Sequence, residues 1–338
     1  MPGSPSQTPP TPLPIFENIN AFHRTAAIKA AIELDIFTAI GEGTRKSEAI
    51  GARCGAAPRG ARILCDFLTV CGLLQKNDDG YALTPETAAF LDKRSPAYMG
   101  TVHEFLASDL LFENMRNLTD SVRKGGTSNY DTVSHENPIW VTFANAMAPM
   151  MGKPAEGIAA LIETTGGAPA RVLDVAAGHG LFGIAIARRF PEAVVTALDW
   201  SHVLEVAREN ARQAGVDGRF STIAGSAFDA SFGGPYDVVL LTNFLHHFDT
   251  QTCDVLLRKV RASLAPGGRT VTLEFIPEDD RLRPTMSAMF SLVMLAGTEA
   301  GDAYTYREIE SMFSKAGFAR SELHEIPFTV QQVVVSWV

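Results

Sequence analysis

After Gly166 the chain settles into an alternation that leaves little freedom of fold. The apolar runs RVLDVAA (171–177), AVVTALD (193–199), RFSTIAG (219–225), YDVVLLTNF (236–244) and RTVTLEF (269–275) read as strands. Helical runs separate most of them, to Phe190, over 201–214 and over 250–264. Strands spaced by helices imply βαβ units and hence a parallel sheet. The end breaks the pattern. After a helix at 307–316, ARSELHEIPF and TVQQVVVSWV follow with almost no chain between them, and so short a connection permits only an antiparallel pair. Residues 166–338 are therefore expected to form an α/β domain, its sheet mostly parallel with an antiparallel last strand.

The preceding residues follow other rules, and 338 residues leave room for a second domain. Residues 1–14 hold six prolines and no charge, so they cannot bury apolar area and are expected to form a disordered tail. Over 15–95, helical periodicity runs through Phe22–Phe37, a shorter helix follows around Lys46–Cys54, and an apolar one runs from Pro58 to Cys71. LLQKNDDGYALTP then reads as two short strands turning at Asn77-Asp78-Asp79-Gly80. Three helices and a β-ribbon make a winged helix. Residues 96–165, rich in Phe, Met and Ala at helical spacing, read as a helical connecting segment.

The segment Asp174-Val175-Ala176-Ala177-Gly178-His179-Gly180-Leu181-Phe182-Gly183 follows a strand and opens a helix. Glycines there let backbone approach a ligand and set helix N–H groups beside it. Nineteen residues after Gly180 the second strand ends in Asp199, a carboxylate placed to accept both hydroxyls of a ribose. Gly178-x-Gly180-x-x-Gly183 also satisfies the dinucleotide fingerprint, so NAD competes as the cofactor. An acid within the strand (Asp174), the C-terminal position behind a winged helix, the Leu264-Ala265-Pro266-Gly267-Gly268 turn and the closing antiparallel pair favour S-adenosylmethionine.

These parts, with DVAAGHG, ALDW, NFLHHFD, APGG, LEFIP and SMFSKAGF, give a chain that from about Phe16 onward resembles the S-adenosylmethionine-dependent methyltransferases. The likeness is to the dimeric small-molecule O-methyltransferases, which pair a Rossmann-like sheet with an N-terminal winged-helix dimerisation domain. The resemblance implies that Gly178 and Gly180 face the methionine and ribose, that Asp199 binds the ribose, and that Trp200 covers the adenine. Asp174 and Asn243 join this cofactor set. Where the family usually has an acid near the adenine, this chain has Ser226 and Ala227.

In the resembled enzymes a histidine after the fourth strand acts as base, and His246 matches it. Histidine suits the task because its ordinary titration range lies nearest neutral pH. Glu274, at the end of the fifth strand, matches an acid that orients the histidine and fixes its tautomer. His247, where the family commonly has an acid, is expected to be structural. A further family acid would lie near Ala303, where none stands. Phe143 and Met147, and Phe290 and Met294, are each four apart on a helix face and by family position line an acceptor pocket, although such spacing also serves a plain core.

Charge bears on the competing readings. The chain carries a net charge of −9, a poor match for a phosphate backbone or an anionic membrane. A ligand-sensing DNA-binding regulator would need a basic recognition helix, but residues 16–95 balance ten basic against ten acidic side chains. The 58–71 helix offers only Arg59 and Arg62 among apolar neighbours, a surface suited to a homodimer contact. Methylation of nitrogen or carbon, or a cofactor-binding enzyme that does not transfer methyl groups, stays open because of the acid missing near Ala303. Four cysteines without a C-x-x-C pair, no membrane-spanning run and no secretory signal point to a cytoplasmic protein without a metal site. The expected partners are a second copy and a small-molecule acceptor, with no nucleic acid and no membrane.

Overall fold

In the computed structural model, which describes residues 10–127 and 137–338, the chain divides into two units, one running to His103 and the other from Glu104 to Val338. In the first, a helix at Leu13–Ile19 starts inside the segment expected to be tail, whose residues 1–9 lie outside the described residues. The helical run expected from Phe22 to Phe37 is split into Phe22–Glu33 and Ile36–Gly41. Asp35 makes the break, in the left-handed region at φ 58°, and Ile36, Phe37 and Ile40 are thereby turned into the core. Helices Ser47–Cys54 and Pro58–Val70 follow, then the ribbon of β1 (Leu74–Asn77) and β2 (Gly80–Leu83), antiparallel with Asn77 opposite Gly80. Gly80 is required at this position. Its φ is 119°, and a Cβ there would lie 2.2 Å from the Arg45 carbonyl oxygen.

The Pro58–Val70 helix spends most of its apolar face on its own unit: Ala61, Cys65 and Leu68 are buried, and Leu64 and Phe67 pack beside them. The larger apolar surface is instead at the start of the chain, where Leu13, Ile15, Phe16, Ile19 and Phe22 are each more than half exposed. Sequence patterning places the free apolar face on 58–71. The structure moves it to the N-terminal helices, because the 58–71 stripe is what closes the winged-helix core.

The second unit holds a seven-stranded sheet. Its strands are β3 (Arg171–Val175), β4 (Val194–Asp199), β5 (Phe220–Ala224), β6 (Tyr236–Thr242), β7 (Leu264–Glu274), β8 (Arg320–Glu325) and β9 (Gln332–Trp337). The order is β5-β4-β3-β6-β7-β9-β8, all parallel except β9, which runs antiparallel to β7 and β8. The central strands are apolar on both sides because both faces are covered. On β6, Val238 and Leu240 enter the core with Ile158 and Ile186, while Val239 and Leu241 enter the opposite one with Leu257 and Phe313. The Leu264–Gly268 segment is no free turn. Leu264 pairs with Tyr236, pairing resumes with Arg269 opposite Val238, and the residues between them bulge.

From β3 the chain moves outward on one side to β4 and β5, then returns to the other side of β3 as β6. That reversal opens a crevice at the carboxyl ends of β3, β4 and β6, where open α/β sheets hold their ligands. A 28-residue helix, Ile139–Gly166, leads into β3.

Candidate functional site

The loop after β3 is built for close backbone approach. Ala176, Gly178 and Gly180 have φ of 54°, 56° and 73°, and the helix Leu181–Arg189 starts directly after them. A Cβ on Gly180 would lie 2.9 Å from that of Ala207, and one on Gly183 would lie 2.7 Å from Val195 Cγ1. Glycine at 180 and 183 thus seats the helices against the sheet, whereas Gly178 meets only Phe143 Cε1, at 4.0 Å. His179 is buried, and burial pushes its imidazole down to about 4. Its Nδ1 accepts the Leu181 N–H at 3.2 Å, capping the new helix.

Two carboxylates lie beneath this loop. Asp174 is fully buried, and its Oδ2 accepts the Gly183 N–H at 3.1 Å while Oδ1 has no partner among the described residues. Burial raises its carboxyl to about 7; the Gly183 N–H opposes the shift and the nearby Asp199 adds to it. Asp199 accepts the Gly178 N–H on Oδ2 at 2.8 Å and the Trp200 N–H on Oδ1 at 2.7 Å. Burial raises Asp199 too, against those two bonds. Each of its oxygens keeps a lone pair for a further donor.

The remaining residues expected around the cofactor are more committed to the fold. Trp200 immediately precedes the helix Ser201–Gln213. Gly225 donates to the Asp199 carbonyl at 3.0 Å, which draws the end of β5 to the end of β4. Ser226 Oγ accepts the Phe228 N–H at 3.1 Å, and the Ala227 side chain is buried in the core with Phe232 and Leu256. Lys259 Nζ already donates to the Ala227 carbonyl at 2.9 Å. Asn243, left-handed at φ 56°, accepts a hydrogen bond from the Gln331 side chain and donates its N–H to the Leu273 carbonyl at 2.8 Å.

After β6 a single 3₁₀ turn, Leu245–His247, carries two adjacent histidines. His246 is buried, and its Nδ1 lies 2.5 Å from Glu274 Oε2. The other oxygen of Glu274 accepts the N–H groups of Phe244 and Leu245 at 3.0 and 2.9 Å. The carboxylate therefore fixes both the turn and the ring, and the charge-assisted bond places the ring proton on Nδ1. Among the described residues Nε2 has no hydrogen-bond partner, so its lone pair is free. Ala303 is buried, and the carboxylate beside it, Asp302, is tied to Arg281 at 3.1 Å. Among the described residues His246 thus has one carboxylate partner, Glu274.

Rings surround this turn. Phe290 meets His246 edge-on with centroids 4.7 Å apart and stacks on Phe275 at 4.1 Å. Phe143 contacts Trp140 and Phe105. Met147 packs with Met150 against the core around Ile158 and Phe182, and Met294 is buried on the helix Thr285–Gly297. Sequence patterning gave no sign of Trp140, which packs edge-on against His247 at 5.6 Å. Nor did it point to Gly301, where a Cβ would lie 2.1 Å from the His246 carbonyl oxygen.

Residues 117–319 match the O-methyltransferase domain, and residues 16–93 match the O-methyltransferase dimerisation domain. The chain belongs to the S-adenosylmethionine-dependent small-molecule O-methyltransferases. A protein of known structure from Nostoc punctiforme, assigned to the O-methyltransferases, is 50% identical over 98% of this chain and all of its own, with a TM-score of 0.95. The 3-hydroxy-5-methyl-1-naphthoate 3-O-methyltransferase of Streptomyces sahachiroi is 29% identical over 96% of this chain and 95% of its own length. Human N-acetylserotonin methyltransferase, solved in complex with S-adenosylmethionine, shares the fold at a TM-score of 0.84 and 20% identity, covering 99% of each chain. The winged helix of this O-methyltransferase thus falls in a dimerisation module, which does not favour the DNA-binding reading. No described helix is long and apolar enough to cross a membrane.

The donor set fits the family's cofactor: the spare lone pairs of Asp199 would suit two ribose hydroxyls, and the carboxylate oxygen of Asp174 that is unpartnered among the described residues would suit a cationic amine.

Proposed function

We propose that this O-methyltransferase methylates a hydroxyl of a small aromatic or lipophilic metabolite, with His246 as general base and Glu274 as its orienting acid. The observation that carries the reading is the buried His246–Glu274 pair, with Nδ1 engaged at 2.5 Å and Nε2 without a hydrogen-bond partner among the described residues. S-adenosylmethionine, when bound, supplies an electrophilic methyl group. The protein's part is to hold an acceptor oxygen in line with that methyl and to receive its proton at His246 Nε2. Glu274 keeps the ring in the tautomer that exposes Nε2 and stabilises the imidazolium formed by proton transfer. Gly178, Gly180, Asp174, Asp199 and Trp200 would hold the cofactor, with Asn243 and the Ser226–Ala227 backbone beside it. Phe143 and Phe290 would line the acceptor side, and Met147 and Met294 would support them from behind.

The naphthoate-methylating relative supports an aromatic acceptor. The same reading includes a homodimer formed through the N-terminal unit, supported by the dimerisation match and by the exposed apolar side chains from Leu13 to Phe22. Four free thiols accord with a reducing, cytoplasmic setting. The test is turnover of a phenolic acceptor at saturating cofactor. His246→Ala is expected to lower kcat by roughly 10²–10⁴ with cofactor affinity intact. A folded His246→Ala protein that turns over like the parent would remove His246 from the chemistry.

A further inference from the structure

His247 and Trp140 leave two polar atoms unused beside the base. His247 Nδ1 and Trp140 Nε1 are both buried and have no hydrogen-bond partner among the described residues. The two rings meet edge-on at 5.6 Å, 89° apart, and the His247 ring lies 4.4 Å from that of His246. A buried donor or acceptor left unpaired keeps its full desolvation cost, so orphans in adjoining rings call for a ligand that satisfies them. The surroundings are otherwise aromatic: Phe143 against Trp140, Phe248 against His247 and Phe290 against His246. Aromatic rings around a few unmet polar atoms are the composition of a small-molecule site.

The chemistry of the two atoms narrows the ligand. An indole N–H only donates, so its partner is an oxygen with a lone pair. The imidazole of His247 donates or accepts at Nδ1 according to its tautomer. Burial, and then His246, push it well below the ordinary histidine value, so it is uncharged and supplies no countercharge to offset the desolvation of a carboxylate. From the orphaned pair beside His246 we infer that Trp140 and His247 determine acceptor specificity. They select a planar phenol that carries a second, neutral oxygen, a carbonyl or hydroxyl, close to the hydroxyl to be methylated. This rests on the reading of His246 as the group facing the acceptor. It adds what that reading lacks, a chemical reason to prefer one phenol over another. A site that hydrogen-bonds an oxygen rejects the analogue lacking it, because its own polar groups are then left unpaired.

The test measures binding, so it does not depend on turnover. A naphthol, the same naphthol with an acetyl group beside its hydroxyl, and the same naphthol with a carboxylate there are titrated calorimetrically. The protein is saturated with S-adenosylhomocysteine throughout. The acetyl compound is expected to bind at least about tenfold tighter than the bare naphthol, about the worth of one satisfied buried hydrogen bond, and tighter than the carboxylate. Trp140→Phe keeps a ring but removes the N–H, and should reduce the acetyl preference to less than about threefold; His247→Phe should do the same. Equal binding of naphthol and acetyl compound by the parent would overturn the proposal. So would a preference for the carboxylate, or an acetyl preference that survives in both variants. Transfer of labelled methyl to the same compounds is followed in parallel. Intact binding preference without methyl transfer would count against methylation of these phenols at His246 while supporting recognition by Trp140 and His247.

Discussion

Asp174 offers the most direct physical test of the cofactor site. Its carboxyl is fully buried, with one oxygen on the Gly183 N–H and the other unpartnered, and burial lifts its pKa from 3.8 to about 7. Between those two values the folded protein holds a proton that the unfolded chain has lost. Stability therefore falls as pH rises: the contribution is fully present below 3.8 and is lost as pH climbs through about 7. Over the whole window the linkage amounts to on the order of 4 kcal/mol, and between about pH 5 and about pH 7 to about 2 kcal/mol. Asp174→Asn cannot ionise, while its amide oxygen can still accept from Gly183. Urea denaturation of parent and variant across that range should show the variant gaining about 2 kcal/mol relative to the parent. Other titrating groups, His179 among them, are common to both proteins and cancel in the difference. Parallel stability curves would refute the reasoning. A cationic ligand group near Asp174 should also drive its proton off, so calorimetry in buffers of different ionisation enthalpy should detect proton release by the parent and none by Asp174→Asn.

Three further outcomes follow from the geometry. Asp199→Ala should cost about 1–3 kcal/mol of cofactor affinity by calorimetry, since it removes the proposed acceptor for two ribose hydroxyls; unchanged affinity would sink that assignment. Gly301→Ala would put a Cβ 2.1 Å from the His246 carbonyl oxygen and 2.9 Å from the His247 carbonyl carbon, so the turn must shift. Turnover should fall, with a loss of about 1–3 kcal/mol in folding stability, and parental kcat together with parental Tm would contradict the contact. Sedimentation at micromolar concentration should show a dimer, weakened by Phe16→Glu combined with Ile19→Glu. A monomeric parent would remove the homodimer, and an unaffected dimer would move its interface away from the N-terminal helices.

Much of the architecture was legible because it rests on local periodicity. The apolar runs at 171–177 and 236–244 became β3 and β6, and the near-contiguous runs at the end could pair only antiparallel. What escaped was set by single backbone conformations. Nothing in the apolar spacing of Phe22–Phe37 announces that Asp35 is left-handed, yet that residue breaks the helix and redirects Ile36 and Phe37 inward. The Leu264–Gly268 segment carries the composition of a turn, and only its partner Tyr236 makes it part of a ladder.

The site divides along the same line. Glycines 178 and 180 and Asp199 could be placed because each stands at a strand end whose position the alternation had already determined. Glu274 ends β7 and His246 lies in the short turn that follows its neighbour β6, so the sheet order brings them close. Trp140, by contrast, comes from the long helix before β3, and its contact with His247 follows from how that helix lies over the crevice, which no sequence spacing encodes. The family's departures at 247 and 303 also look alike in sequence, each a missing acid, but the structure separates them. At 303 the space is filled by a buried alanine beside an Asp302–Arg281 ion pair, and no unpartnered buried side-chain atom of residues 302–304 stands there among the described residues. At 247 the replacement is a histidine with an unmet nitrogen next to an unmet indole N–H. A fold tolerates such a cost when a ligand removes it, so the second substitution, and not the first, bears on which acceptor the enzyme takes.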